Sequence, residues 1–109
     1  TLMYQAAALG QVDVISAFSS DGRVTAYNLT VLEDDRAAIP PYDAVVLASE
    51  RLARDEPAVI DALSRLDSTI SAEQMRTMNL EVDEQGENPR VVARRFVAEL
   101  AATVAAASR

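Results

Sequence analysis

The sequence predicts an α/β fold, because helical and strand patterns alternate along its first half. Residues 2–9 repeat apolar side chains at helical spacing and end at Gly10, a common helix stop. The apolar, β-branched run 12–18 then predicts a buried strand. A short helix over about 23–27 and a second strand over 28–32 follow. This order of helix, strand, short helix and strand is typical of α/β domains.

The second half begins with a rigid connector and becomes mostly helical. Two prolines make Ile39–Tyr42 a stiff extended segment, because proline fixes φ and cannot donate a ladder hydrogen bond. The apolar run Ala44–Ala48 predicts a third strand. Helices are then expected from Pro57, from near Ser71 and from Asn88, which supply helix-start signals.

Composition and charge exclude several classes of function. The 109 residues carry a formal net charge of −7, and every cationic side chain is arginine. Such an acidic chain lacks the basic patch that phosphate backbones require, so nucleic acid is not an expected partner. The absence of cysteine and histidine removes the usual zinc ligands and two common catalytic groups. We expect no catalytic residue, metal or cofactor.

The polar turn after the first predicted strand is a candidate site with two open interpretations. Asp21 and Arg23 flank a glycine at a strand end, where open α/β sheets bind ligands. Alternatively, Asp21 caps the following helix and Arg23 is a solvated surface residue. The acidic run Glu33–Asp35 lacks the alternating ligands of a calcium loop, so it is expected to be a solvated strand end.

Two aromatic side chains also have two interpretations. Phe18 and Tyr42 each lie where an extended segment meets a turn. They could form pocket walls whose ring faces attract a cation, or they could simply pack beneath loops. Tyr4 and Tyr27 are expected to be packing residues on helix faces.

The residues that carry these features resemble a known family. The stretch 2–47, with AFSSDGR and PPYDA as its most specific pieces, is similar to substrate-binding proteins of ABC importers for glycine betaine, carnitine and choline. The similarity continues through 71–75, 79–80, 82–83 and 89–96. It therefore covers nearly the whole chain except the alanine-rich tail.

The resemblance implies a class II periplasmic-binding-protein fold, in which two lobes enclose a ligand cleft at their hinge. This chain would be the C-terminal half only. Residues 1–39 would form the C-terminal part of the second lobe, 40–43 the hinge crossover, and 44–109 a mostly helical return segment of the first lobe.

The resemblance also implies the site. Family members enclose a trimethylammonium group in a cage of aromatic rings, and two cage positions correspond to Phe18 and Tyr42. Phe18 stands where many relatives have tyrosine, so the ring face remains and a hydroxyl contact is lost. Ser19, Ser20 and Asp21 are expected as secondary ligand contacts.

The implied partners are a quaternary-ammonium compound and an ABC permease subunit in the membrane. The location would be extracytoplasmic, with attachment through a lipid anchor or a permease fusion. The chain alone is expected to form a homodimer or a swapped dimer that covers its sheet edge. The alternative function is a ligand-sensing effector domain of a transcriptional regulator, which uses the same two-lobed fold.

Overall fold

A computed structural model describes residues 2–40 and 43–107, and the chain forms six helices within those ranges. They are α1 (Leu2–Ala8), α2 (Gly22–Ala26), α3 (Glu50–Asp55), α4 (Pro57–Ser64), α5 (Ala72–Asp83) and α6 (Pro89–Ala107). The chain divides into two compact units. The first unit joins Thr1–Val31 to Ala72–Arg109, and the second is Leu32–Ser71.

The first two helices end in the same way, with a residue in the left-handed backbone region. Gly10 has φ +68° after α1, and Asn28 has φ +52° after α2. In each case the amide of the next residue donates a hydrogen bond to the carbonyl five residues before it. Gln11 donates to Ala6 at 2.8 Å, and Leu29 donates to Val24 at 2.9 Å. This Schellman pattern satisfies carbonyls that would otherwise lack a helical partner. The predicted stop at Gly10 is confirmed.

The first unit is held together by α5, which packs against α2 on one side and against α6 on another. The most buried apolar side chains of this unit are Tyr4, Val24 and Val92, with exposed fractions of 1%, 7% and 4%. Residues distant in sequence therefore supply one small core. The predicted helices near Ser71 and Asn88 are confirmed, and the Asn88 side chain accepts from the Arg90 amide at 2.9 Å.

The second unit contains the two short helices α3 and α4. The Ser49 hydroxyl accepts from the Leu52 amide at 3.2 Å and so caps α3. Pro57 lies at the start of α4, as predicted. The N-cap residue of α4, Glu56, makes no side-chain cap hydrogen bond.

The strands of the predicted α/β fold are not formed within 2–40 and 43–107, where the structure contains helices, turns and segments without regular secondary structure. The runs 12–18, 28–32 and 44–48 are therefore not the strands that their patterns predict. A strand requires a neighbour that exchanges backbone hydrogen bonds with it, and an apolar pattern cannot guarantee that neighbour. Many apolar side chains of these runs are exposed, up to 89% at Leu47.

Within the described ranges, the longest helices lack the combination of length and hydropathy needed to cross a bilayer. The assignment of 1–39, 40–43 and 44–109 to lobes and hinge of a longer protein stays a prediction. The boundaries at Val31 and Ala72 concern the compact units of this chain.

Candidate functional site

The turn before α2 is closed by its own backbone and by Asp21. The Asp21 amide donates to the Phe18 carbonyl at 3.1 Å. The Asp21 Oδ1 atom in turn accepts from the Arg23 amide at 3.0 Å, which makes Asp21 the N-cap of α2. The capping interpretation is therefore confirmed, whereas direct ligand contact by Asp21 stays a prediction.

The Asp21 carboxylate also binds two side chains. Arg23 donates from Nε to Oδ1 at 2.9 Å and from Nη2 to Oδ2 at 2.7 Å. The Tyr4 hydroxyl donates to Oδ2 at 2.7 Å. This bidentate arginine–carboxylate ion pair is a strong, charge-assisted hydrogen-bonding geometry. The expectation of a solvated Arg23 is wrong, because its side chain is 29% exposed and paired.

Aromatic contacts extend this cluster. The Arg23 guanidinium lies 4.7 Å from the centroid of the Tyr4 ring, within the range of a cation–π interaction. The Tyr27 ring stacks on Tyr4 with centroids 6.3 Å apart and an interplanar angle of 16°. The packing role predicted for both tyrosines is confirmed. The hydrogen bond of Tyr4 was not predicted, since it joins residues 17 positions apart.

The cluster shifts the pKa values of its members in the directions that its contacts require. Hydrogen bonds from Arg23 hold the pKa of Asp21 well below its usual range, and the bond from Tyr4 adds to this effect. Burial raises the pKa of Tyr4 to about 12, with further contributions from its hydrogen bond to Asp21 and from the negative charge there. At neutral pH the cluster therefore holds an ionised aspartate and a neutral tyrosine.

Helix α5 binds the opposite side of the same turn through two side chains. Arg76 donates from Nη1 to the Ser19 carbonyl at 2.6 Å. Asn79 donates from Nδ2 to the Ser20 carbonyl at 2.8 Å. Two successive carbonyls of the turn are thus satisfied by one helix face.

Gly22 explains how closely α5 approaches. A Cβ atom at this position would lie 2.4 Å from the backbone nitrogen of Leu80 and 2.7 Å from its Cα atom. Both distances are too short for any side chain, and the obstacle is backbone that cannot rotate away. The glycine after Asp21 is therefore required for contact between α2 and α5.

A shallow concavity of about 220 Å³ opens beside this turn. Its lining consists of Phe18, Ser20, Asp21, Arg23, Asn79 and Asp83. The Phe18 side chain is 64% exposed, so the ring lines an open surface and is not a core residue. The interpretation of Phe18 as packing beneath a loop is wrong for this chain.

The structure brings together only part of the predicted site. Phe18, Ser20 and Asp21 share the concavity, whereas Ser19 is not in its lining. Tyr42 lies outside the described residues. Asn79 and Asp83 were not predicted, although their spacing of four residues places them on one face of α5.

A second concavity, of about 370 Å³, lies between α5 and α6. Its lining includes Met78 and Phe96, together with the ion pair between Arg95 and Glu81. None of the predicted site residues is in this groove, which combines apolar side chains with charges of both signs.

The acidic run Glu33–Asp35 has a local structural role. Asp34 accepts from the amides of Ala38 at 3.0 Å and Ile39 at 2.7 Å. These backbone bonds lower the pKa of Asp34. Among the residues that the structure describes, no group of three or more acidic side chains is arranged to hold a metal ion.

The concavity beside the turn thus combines an exposed aromatic ring with charged and polar side chains. Comparison with known proteins defines the family. Residues 1–99 match the substrate binding domain of ABC-type glycine betaine transport systems, OpuAC. The chain belongs to this family, and the predicted resemblance is confirmed.

Individual relatives agree with this assignment. The carnitine transport binding protein OpuCC of Listeria monocytogenes is 38% identical over 96 residues, covering 88% of this chain and 31% of the relative. The ergothioneine transport permease/ergothioneine binding protein EgtU of Helicobacter pylori is 27% identical over 99 residues, covering 91% of this chain and 18% of the relative. The chain thus spans at most about a third of these curated relatives.

A solved structure supports the fold. A crystal structure of a glycine betaine/carnitine/choline ABC transporter matches with a TM-score of 0.80 and 38% identity, covering 90% of this chain and 36% of that chain. This chain therefore has the fold of part of that protein.

Proposed function

We propose that the protein containing this chain is the solute-binding component of an ABC importer, and that it binds a quaternary-ammonium compound such as glycine betaine, choline or carnitine. The observation that carries this proposal is the Phe18 ring, which is 64% exposed on a turn that hydrogen bonds fix on both sides. The names of the relatives support the same class of ligand.

The chemistry of the concavity suits a cation that cannot donate hydrogen bonds. A trimethylammonium group presents only methyl hydrogens, so an aromatic face is a better partner for it than a neutral hydrogen-bond acceptor. Asp83 lies in the same lining and adds a negative charge. Asp21 is already paired with Arg23, so Asp83 is the lining carboxylate best suited to attract the ligand.

Tyr42 is proposed as a second aromatic wall, because the family resemblance assigns it a cage position. Ser19, Ser20 and Asp21 remain proposed secondary contacts of the ligand. The backbone carbonyls of Ser19 and Ser20 already accept hydrogen bonds from α5. We therefore propose that their side-chain hydroxyl groups make the ligand contacts. Phe18 offers a ring face without a hydroxyl, which changes the selection among betaines more than the attraction of the cation.

Delivery to a membrane permease is proposed as the biological role, with an extracytoplasmic location and attachment by a lipid anchor or by fusion to the permease. The name of the Helicobacter pylori relative combines a permease with a binding protein, which supports the fused arrangement. In the whole protein, two lobes joined at 40–43 would close over the ligand and present a changed surface to the permease.

The 109-residue chain by itself is proposed to form a homodimer or a swapped dimer. Val45, Val46 and Leu47 are 73%, 68% and 89% exposed in a segment outside regular secondary structure, and an exposed apolar segment with strand-like residues favours pairing with another chain. Sedimentation at increasing concentration should show a growing dimer fraction. A compact monomer at the highest concentration would contradict this part of the proposal.

The ligand proposal is tested by calorimetric titration of the full-length protein with choline, glycine betaine, carnitine and ergothioneine. Binding of at least one compound is expected. Phe18→Ala should weaken that binding by about 1 kcal/mol or more, which is roughly fivefold in Kd.

Phe96→Leu is the matched control, because it alters the other phenylalanine of the chain outside the proposed ligand site. Its affinity should stay within about twofold of the unmodified protein. Absence of heat with all four compounds, or equal affinities for the Phe18→Ala and unmodified proteins, would contradict the proposed function.

A further inference from the structure

We propose that Asn79 and Arg76 of α5 are positioning residues for the aromatic wall at Phe18. This inference rests on the proposed function, since it concerns how the ligand-binding ring is held. Neither residue has to touch the ligand for this role, because each acts through the backbone of the turn that carries the ring.

The geometry supports a clamp on three consecutive carbonyl groups. The Phe18 carbonyl accepts from the Asp21 amide at 3.1 Å. The next two carbonyls, of Ser19 and Ser20, accept from Arg76 at 2.6 Å and from Asn79 at 2.8 Å. The turn thus has little freedom to rotate its peptide groups while α5 remains in place.

Helix α5 is itself fixed relative to the turn. Gly22 brings α2 into contact with the α5 backbone, as the 2.4 Å distance from its ideal Cβ position to the Leu80 nitrogen shows. On its other side the turn ends at Asp21, whose carboxylate is held by Tyr4 and Arg23. The two α5 side chains that donate to the carbonyls, and the cluster around the Asp21 carboxylate, therefore both hold the turn.

The position of the ring depends on the backbone of this turn, from which the side chain extends. Phe18 is 64% exposed, so its ring lies at the surface, above the carbonyl groups that these hydrogen bonds hold. Cation–π attraction requires the cation to lie over the ring face, within about 6 Å of its centroid. A shift of the backbone at Phe18 would misdirect the ring, so hydrogen bonds that span 57 and 59 residues of the sequence should control ligand affinity.

The decisive experiment is a double-mutant cycle in the full-length protein, with calorimetric affinity for the tightest-binding betaine as the readout. Asn79→Ala should weaken binding about fivefold in the unmodified background. In a Phe18→Ala background the same change should weaken binding less than about twofold, because the ring that it positions is gone. Coupling of this kind marks residues that act through one another.

Thr77→Ala is the matched control for Asn79→Ala. Thr77 lies on the same helix, and its hydroxyl donates within the helix, to the Glu73 carbonyl at 3.1 Å. Its affinity should match that of the unmodified protein. The contribution of Arg76 is tested by Arg76→Lys, which keeps the positive charge but loses the planar donor geometry. It should weaken binding about threefold. Arg94→Lys on α6 is its control and should have no effect on affinity.

A second readout separates positioning from loss of folding. Hydrogen exchange at the Asp21 amide should accelerate about tenfold in Asn79→Ala, while the urea midpoint of unfolding stays near that of Thr77→Ala. A global loss of stability would instead accelerate exchange throughout the first unit.

The outcomes distinguish this inference from the proposed function. If Phe18→Ala weakens binding but Asn79→Ala does not, the positioning role is wrong and the ligand site stands. If the effects of Asn79→Ala and Phe18→Ala are additive, Asn79 acts independently of the ring and the positioning role is again wrong. If Phe18→Ala has no effect, the proposed function itself fails.

Discussion

The turn at Phe18–Asp21 and the apolar run Ala44–Ala48 differ in where their stabilising partners lie. The turn finds its partners within the first unit, at Tyr4 and on α5. The apolar run in the second unit has no regular secondary structure, and its side chains are largely exposed. Both were predicted as parts of one α/β fold, the turn in the second lobe and the run in the first, yet only the turn has its partners among the described residues of this chain.

This difference teaches which interactions a short chain can supply for itself. A polar turn needs a few donors and acceptors at fixed positions, and one helix and one tyrosine provide them here. A buried strand needs two backbone neighbours and an apolar layer on its faces. Among the described residues, the two small units do not supply these neighbours to the predicted strands. The matched region is 31% of the carnitine-binding relative.

The largest loss of stability is expected from Gly22→Ala, which disrupts the closest contact between α2 and α5. The new methyl group would lie 2.4 Å from the Leu80 nitrogen, so α2 and α5 must separate. Overpacking against backbone should lower the free energy of unfolding by about 3 kcal/mol. Urea denaturation measures this change.

Gly10→Ala is the control for the glycine substitution. No atom lies within 4 Å of a Cβ at Gly10, but its φ of +68° disfavours alanine. Its cost should be only about 1 kcal/mol, from backbone strain alone. Equal costs at Gly10 and Gly22 would show that contact with α5 is unimportant.

A smaller effect is expected from acid, through the aspartate that caps the turn. The folded-state pKa of Asp21 lies below its ordinary value of 3.8. Its stabilisation is therefore present above about pH 4 and is lost as the pH falls from there towards the folded-state pKa. Asp21→Asn should cost about 2 kcal/mol at pH 7, and the cost should shrink at pH 2.

Urea midpoints of both proteins between pH 2 and pH 7 provide this comparison. Asp13→Asn, at an exposed position outside the cluster, should leave the acid profile of the unmodified chain unchanged. If the urea midpoints of Asp21→Asn and the unmodified chain differed by the same amount at every pH, the assigned role of the carboxylate would be contradicted.

The smallest effect is expected in the apolar run. Leu47 is 89% exposed, so Leu47→Ser should change the free energy of unfolding of the monomeric 109-residue chain, measured at a concentration below that of dimer formation, by less than about 0.5 kcal/mol. Val24→Ala, at a 7% exposed position in the first unit, should cost about 2 kcal/mol. A large loss for Leu47→Ser would mean that the run is buried, which would remove the contrast between the regions.

The sequence predicted the features that depend on neighbouring residues. Gly10 as a helix stop, Asp21 as a cap, Pro57 as a helix start and Asn88 as a cap are all confirmed. Each of these signals acts within one helical turn, so a local pattern contains the necessary information.

Contacts between distant residues could not be predicted in the same way. The bond from Asn79 to Ser20 joins positions 59 apart, and nothing near either residue indicates the other. The strands failed for a related reason, because an apolar run reveals its preference for burial but not whether a neighbouring strand is available. Of the site, Phe18, Ser20 and Asp21 were predicted from the strand end and the family resemblance, while Asn79 and Asp83 depend on how α5 packs.

The central claim is that the exposed Phe18 ring contacts a quaternary-ammonium ligand in the full-length protein. The most direct measurement is the affinity of the unmodified and Phe18→Ala proteins for choline, glycine betaine, carnitine and ergothioneine by calorimetry. We expect measurable binding of at least one compound and a loss of affinity of roughly fivefold or more with Phe18→Ala. Unchanged affinity in the Phe18→Ala protein would contradict it.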